Sequence, residues 1–208
     1  MNCKGCGSSK TEFFNVGKST VSGYRCNSLQ ESKKSPKFDI FLNFCSECNL
    51  VSQKRYSDAD HLLDKLYEEH VSTQHSENNP FFNSFADKLI NDYKLNSSKK
   101  VLEVGCNCGA FLKILSDKSG VKVLGVEPSK TMQKIWKKRN LQIINEYLNK
   151  SSVKILQNYG SFNIIYLRHV YEHVSDPLEF ISHIVTLLHD KGSIILEVPY
   201  LPSVIKNF

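Results

Sequence analysis

The sequence predicts an α/β architecture: a parallel sheet with helices on both faces, preceded by a small cysteine-rich β module. Three observations carry this. From Lys100 onward, short β-rich apolar runs alternate with helix-patterned stretches, the pattern of a parallel sheet. Five of the seven cysteines fall within residues 1–56. A glycine-rich turn, "VGCNCG", follows the first apolar run. The 208 residues are enough for one full domain plus a small accessory module.

Residues 1–56 form the first part. "CKGC" (Cys3, Cys6) and "CSEC" (Cys45, Cys48) are two C-x-x-C knuckles. A tight two-residue turn aims both thiolates at one ion, and two such turns complete a tetrahedral zinc site. Gly5 and Gly7 ease the first turn. Four protein ligands leave no open position, so the expected zinc is structural. A redox pair would need a βαβ context that is absent here. The 38 residues between Cys6 and Cys45 suit a β-hairpin plus a loop. "FDIFLNF" alternates Phe38, Ile40, Leu42 and Phe44 against Asp39, Phe41 and Asn43, which predicts a strand. Cys26 is left as a small buried residue.

Residues 57–97 read as a helical linker or lid. Leu62, Leu63, Leu66 and Tyr67 make one apolar face, and Phe81, Phe82, Phe85, Leu89, Ile90 and Tyr93 another. Residues 98–208 carry the strand runs "KVLEV", "VKVLGV", "LQIIN", "NIIYL" and "SIILEV". The clearest helix begins at "SDPLEF". Asp176 caps it, Pro177 takes its first position and Glu179 closes a capping box. Leu178, Ile181, Ile184, Val185 and Leu188 are expected to face inward, with Gly192 ending the helix.

The glycine turn joins a strand, Val101 to Val104, to a helix starting at Ala110. Such turns lie at the ligand-binding end of a parallel sheet. The dinucleotide pattern G-x-G-x-x-G falls on Gly105, Asn107 and Ala110, so two of its three glycines are missing. The pattern E-x-G-x-[GN]-x-G is met by Glu103, Gly105, Asn107 and Gly109. Glu127 ends the next strand, 24 residues after Glu103, where a carboxylate is placed to accept ribose hydroxyls. Cys106 and Cys108 read as small side chains backing the turn, not as metal ligands.

This second pattern resembles the first motif of class I methyltransferases that use S-adenosylmethionine. The resemblance implies a Rossmann-like sheet and makes Glu103, Gly105, Asn107, Gly109 and Glu127 candidate cofactor contacts. S-adenosylmethionine has no pyrophosphate to cradle, so the strict glycines of a phosphate loop are not required. It does carry an ammonium and a cationic sulfur, which a nearby carboxylate such as Glu103 favours. "LRHVYEHVSDP" is similar to the superfamily's "EHV-x-DP" segment. "CKGC" with "CSECNLVSQ", "EVGCNCGAFL" and "EVPYL" resemble segments of sugar C-methyltransferases, which act on nucleotide-linked keto-deoxysugars. That resemblance implies His173 as general base or substrate contact, with helix capping or packing as its alternative, and His169 lining the cofactor's methionine end. Cys108 stands where that family has an aspartate. The family's "YHEH" segment and large C-terminal domain do not occur in these 208 residues. The resemblance therefore implies a sheet lacking its last two strands, with an open edge available to a partner chain or to self-association.

Composition narrows the readings. Hydrophobic residues are 40% and charged residues 23% of the chain, with a net charge of +6. The lysine pairs are scattered, so a nucleic-acid surface is not indicated. No run approaches the ~20 apolar residues of a membrane span, and the N-terminus lacks an apolar signal core. The expected setting is cytoplasmic, with reduced thiols. Three functions compete: methylation of a nucleotide-linked deoxysugar at carbon, methylation of RNA, and a non-catalytic zinc- and cofactor-binding domain that needs a partner chain.

Overall fold

The computed structural model describes residues 2–20, 26, 28–53 and 77–206. The chain forms two compact units, Met1–Glu69 with Ser175–Leu178 and His70–Val174 with Glu179–Phe208. The expected helix face of Leu62, Leu63, Leu66 and Tyr67 lies outside the described residues.

The first unit holds an antiparallel sheet of β1 (Thr11–Thr20), β2 (Lys37–Cys45) and β3 (Val51–Gln53), in that order. A bulge between Asn15 and Gly17 shifts the β1–β2 register. Gly17 takes φ +108° there, and its N–H donates to Asn15 Oδ1 at 2.8 Å. β2 forms over the run whose alternation predicts a strand. Phe38, Ile40, Leu42 and Phe44 are only half-buried, whereas Asn43 and Cys45 are buried. So small a module cannot cover a whole apolar face, and its buried end is where the cysteine turns converge.

The second unit is built on five parallel strands in the order β6-β5-β4-β7-β8, where β4 is Lys100–Val104, β5 Lys122–Val126, β6 Ile143–Ile144, β7 Phe162–Arg168 and β8 Leu188–Glu197. The chain runs outward from β4 through β5 to β6, then returns to β7 on the other side. The C-terminal ends of β4 and β7 therefore flank a topological switch point, where open α/β sheets bind ligands. Alternation along the strands divides the core in two. Val101, Ile164 and Tyr166 join Phe82, Ala86, Leu89, Phe111 and Trp136 in one cluster. Leu102, Val104, Ile165 and Leu167 join Phe180, Ile184 and Leu187 in the other. Along β4 the period of two puts Glu103 on the Val101 face.

Helix Pro80–Tyr93 starts from Asn79, whose side chain accepts the N–H of Phe82, and has Pro80 in its first turn. Its buried residues are Phe82, Ala86 and Leu89, while Phe81 and Tyr93 of the expected face are exposed. The helix Pro177–Leu187 does begin at the expected proline. It ends five residues before Gly192, because Leu188 already pairs with Phe162 in the β7–β8 ladder. Its buried residues are Phe180, Ile184 and Leu187, spaced i, i+4 and i+7, while Leu178 and Val185 are exposed. This stripe decides which truncations matter. Ile184→Ala is expected to lower the unfolding free energy in urea by about 2–5 kcal/mol, and Val185→Ala by no more than about 0.5 kcal/mol. Equal losses would contradict the assigned face.

Candidate functional site

In the first unit the sulfurs of Cys3, Cys6, Cys45 and Cys48 all lie within 4.8 Å of one another. Cys3–Cys48 are 3.6 Å apart and Cys6–Cys45 3.7 Å apart. A tetrahedron with Zn–S bonds of about 2.3 Å has S···S edges of about 3.8 Å, so the cage has the size of a zinc site. The two knuckles repeat one geometry. Gly7 N donates to Cys3 O and Asn49 N to Cys45 O, each at 2.9 Å, while Cys3 N donates to Ser8 O and Cys45 N to Leu50 O. Gly7 (φ +74°) and Asn49 (φ +59°) take the same left-handed position after each knuckle, which glycine and asparagine tolerate best. The N–H groups of Cys6 and Gly5 directed at its sulfur hold the Cys3 thiol down to about 6. Cys26 lies 3.1 Å from Ser35 Oγ. Cys106 and Cys108 are buried in the second unit, and burial pushes the Cys106 thiol well up.

In the second unit the chain leaves β4 through a turn with three left-handed residues, Gly105 (φ +72°), Asn107 (φ +50°) and Gly109 (φ +74°). A Cβ on Gly105 would meet Val170 Cγ2 at 2.4 Å, and one on Gly109 would meet Leu141 Cδ1 at 2.4 Å. Both glycines are thus favoured by backbone conformation, and a Cβ at either would have to displace a neighbouring side chain. Buried Glu127 ties this turn to the end of β5. Its Oε2 accepts the N–H of Asn107 at 2.8 Å, and its Oε1 accepts the N–H of Ser129 at 2.9 Å. Two side chains outside the motif hold the turn from behind. Trp136 Nε1 donates to Asn107 O at 2.6 Å, and Arg139 Nη1 donates to Cys108 O at 2.5 Å. In the sequence Trp136 reads only as an apolar helix residue and Arg139 as part of a lysine-rich patch. Nothing in their spacing marks them as supports of the turn.

Glu103 sits beside Tyr166 in the β4–β7 register, and Arg168 sits beside Glu197 in the β7–β8 register. The period of two puts all four on one face of the sheet. Glu103 is 5% exposed, and its Oε2 has no hydrogen-bond partner among the described residues. Burial pushes its carboxyl well above the usual range. Arg168 opposes that shift, and Glu127 and Glu197 add to it. The folded-state pKa is therefore raised above the unfolded one. Its contribution to stability is complete at low pH and is lost as pH rises through the raised pKa. Tyr166 Oη donates to Glu197 Oε2 at 2.7 Å, and burial followed by that carboxylate raises the phenol's pKa.

His169 follows β7 at φ +51°, and its N–H donates to Glu197 O at 2.9 Å. Its ring is half-exposed, with Nδ1 3.2 Å from Glu172 Oε1 and Nε2 3.7 Å from Glu197 Oε1. His173 closes the short 3-10 turn Tyr171–His173 and is exposed. The fold thus gathers Glu103, Gly105, Asn107, Gly109, Glu127 and His169 at the C-terminal edge of the sheet, with His173 one turn further along the chain. The Glu127 carboxylate suits a hydroxyl donor, and a cation would relieve Glu103.

A family model described as a methyltransferase domain matches residues 73–206. The C-methyltransferase NovU of Streptomyces niveus is 22% identical over 207 residues, covering 99% of this chain and 49% of NovU. The tRNA U34 carboxymethyltransferase of Campylobacter jejuni subsp. doylei is 28% identical over 113 residues, covering 50% of this chain and 37% of that protein. The chain thus spans half or less of the length of these relatives. Among solved structures, the plantazolicin methyltransferase BpumL, in complex with a pentazolic desmethylPZN analog and SAH, is 15% identical with a TM-score of 0.49, covering 73% of this chain and 58% of BpumL. Since the methyltransferase-domain match takes in the whole parallel sheet together with its glycine turn, this chain belongs to the methyltransferase-domain family, with the Rossmann-like class I fold.

Proposed function

We propose that the second unit binds S-adenosylmethionine at the C-terminal edge of β4, β5 and β7 and supports methyl transfer to a carbon atom of a nucleotide-linked deoxysugar. The observation that carries the cofactor reading is the buried, unpartnered Glu103 carboxylate beside a turn held by Glu127. A site of that kind favours a ligand with a cationic end and a ribose diol. Glu127 would accept the ribose hydroxyls, Glu103 would face the methionine ammonium, and Gly105, Asn107 and Gly109 would let the backbone approach closely. S-adenosylmethionine supplies an electrophilic methyl group. The protein's part is to align the nucleophile and exclude water. His173, exposed beyond β7, is the proposed base or substrate contact, and His169 the proposed neighbour of the methionine end. The carbon-methylation reading is supported by the similarity to the C-methyltransferase NovU along nearly the whole chain.

In the first unit, Cys3, Cys6, Cys45 and Cys48 are the proposed ligands of one structural zinc. Four thiolates would close the coordination shell, so the ion would staple the two knuckles without taking part in chemistry.

Two measurements test these readings. Calorimetric titration with S-adenosylmethionine should show binding that Glu127→Ala weakens by about 1–3 kcal/mol, the cost of unpaired polar groups. Binding of NAD in its place would overturn the cofactor reading. Methyl transfer to RNA but not to a nucleotide-linked keto-deoxysugar would overturn the substrate reading. Elemental analysis of purified protein should find one zinc per chain, absent from Cys45→Ser. Metal retained by Cys45→Ser, or lost on substituting Cys106 and Cys108, would overturn the zinc assignment.

A further inference from the structure

Arg168 ends β7 on the same face as Glu103, and its position is unusual for a cation. Its guanidinium lies over the Phe82 ring at 4.6 Å from the centroid and over Phe81 at 5.2 Å. Stacking of this kind fixes the plane of the fork while leaving its in-plane N–H groups available. The side chain is largely covered, yet Nε is buried without a hydrogen-bond partner. Glu197 Oε1 is only 3.1 Å from Nε but lies off the N–H direction. The other oxygen of Glu197 is already taken by the Tyr166 hydroxyl. Among the described residues, then, one face of the sheet carries two unsatisfied buried atoms of opposite character, an acceptor on Glu103 and a donor on Arg168.

That pairing has a chemical complement. An α-amino acid end presents an ammonium and a carboxylate on one carbon, and each needs the group that the other side chain lacks. We propose that Arg168 is a cofactor-binding residue that recognises the carboxylate of the methionine moiety, while Glu103 recognises its ammonium. The inference rests on the S-adenosylmethionine reading above. The guanidinium is the one cation on this face among the residues named here, surrounded by Glu103, Glu197 and the Tyr166 hydroxyl. A guanidinium already packed over two rings loses little freedom on accepting a carboxylate.

The test uses two ligands and two variants of the full chain. S-adenosylmethionine and decarboxylated S-adenosylmethionine share the nucleoside, the sulfonium and the ammonium, and differ only in the carboxylate. Wild-type protein is expected to prefer the first by about 10- to 100-fold, the range for a hydrogen-bonded charge. Arg168→Leu should bind S-adenosylmethionine as weakly as wild type binds the decarboxylated compound, with affinity for the latter changed less than about twofold by the same reasoning. Arg168→Lys should restore part of the preference. The unchanged binding of the decarboxylated compound reports that the variant is folded. A preference that persists in Arg168→Leu, or a parallel loss for both ligands in both variants, would overturn the proposal. Failure of wild type to bind either ligand would instead overturn the cofactor reading beneath it.

Discussion

Burying the Glu103 side chain in the central strand takes a carboxylate out of water with no hydrogen-bond donor supplied to Oε2 in return. An apolar residue there would extend the core cluster that already contains Val101, Ile164 and Tyr166. Desolvation of an unpaired charge costs several kcal/mol or forces the group to take up a proton, and its raised pKa reflects that strain. The surrounding arrangement only partly relieves it. Arg168 attracts the charge, while Glu127 and Glu197 repel it. On the proposed reading this is a binding site carrying its own electrostatic deficit, which a cationic ligand end would offset.

The two units solve their local problems with the same device. In each, a tight turn places residues in the left-handed region so that backbone N–H groups converge on an anionic acceptor. In the first unit the left-handed residues are Gly7 and Asn49, and Gly5 N reaches Cys3 Sγ at 3.3 Å. In the second they are Gly105, Asn107 and Gly109, and the acceptor is Glu127. At Gly105 and Gly109 a Cβ would also crowd a neighbouring side chain, whereas at Gly7 only the dihedral angle favours glycine. Asn49 and Asn107 take the same region with a Cβ in place, which asparagine tolerates better than most residues. The cysteines of "CNC" differ from those of the knuckles. Cys106 and Cys108 are both buried, whereas each knuckle pairs one buried cysteine with one exposed.

The strand runs were legible because parallel strands buried on both faces read as continuous apolar stretches. The knuckles and the E-x-G-x-[GN]-x-G pattern were legible because their spacing encodes a local turn. Helix faces were less so. In Pro177–Leu187 apolar residues fall on more than one face, so several stripes fit the sequence, and only packing selects Phe180, Ile184 and Leu187. The end of that helix was hidden because Leu188 is claimed by strand pairing, which no local signal reveals. The capping box of Asn149 and Ser152 at helix Lys150–Gln157 has a recognisable spacing, but serine stands where the usual signature has Glu or Gln. Trp136, Arg139 and Arg168 act through distant partners, and long-range hydrogen bonds and ring contacts leave no periodicity to read.

The central claim is that Glu103 is kept buried for a cationic ligand at the expense of the ligand-free fold. Thermal denaturation of wild type and Glu103→Gln, with and without S-adenosylhomocysteine, addresses it directly. The account predicts that at pH 7 the ligand-free variant melts higher than wild type, because the desolvated charge is gone. That advantage should shrink towards about pH 3, below the ordinary carboxyl range, where the group is protonated in both folded and unfolded chains. With saturating ligand, the variant should gain less stability than wild type. A variant that melts lower than wild type without ligand, or that gains as much from ligand as wild type does, would contradict it.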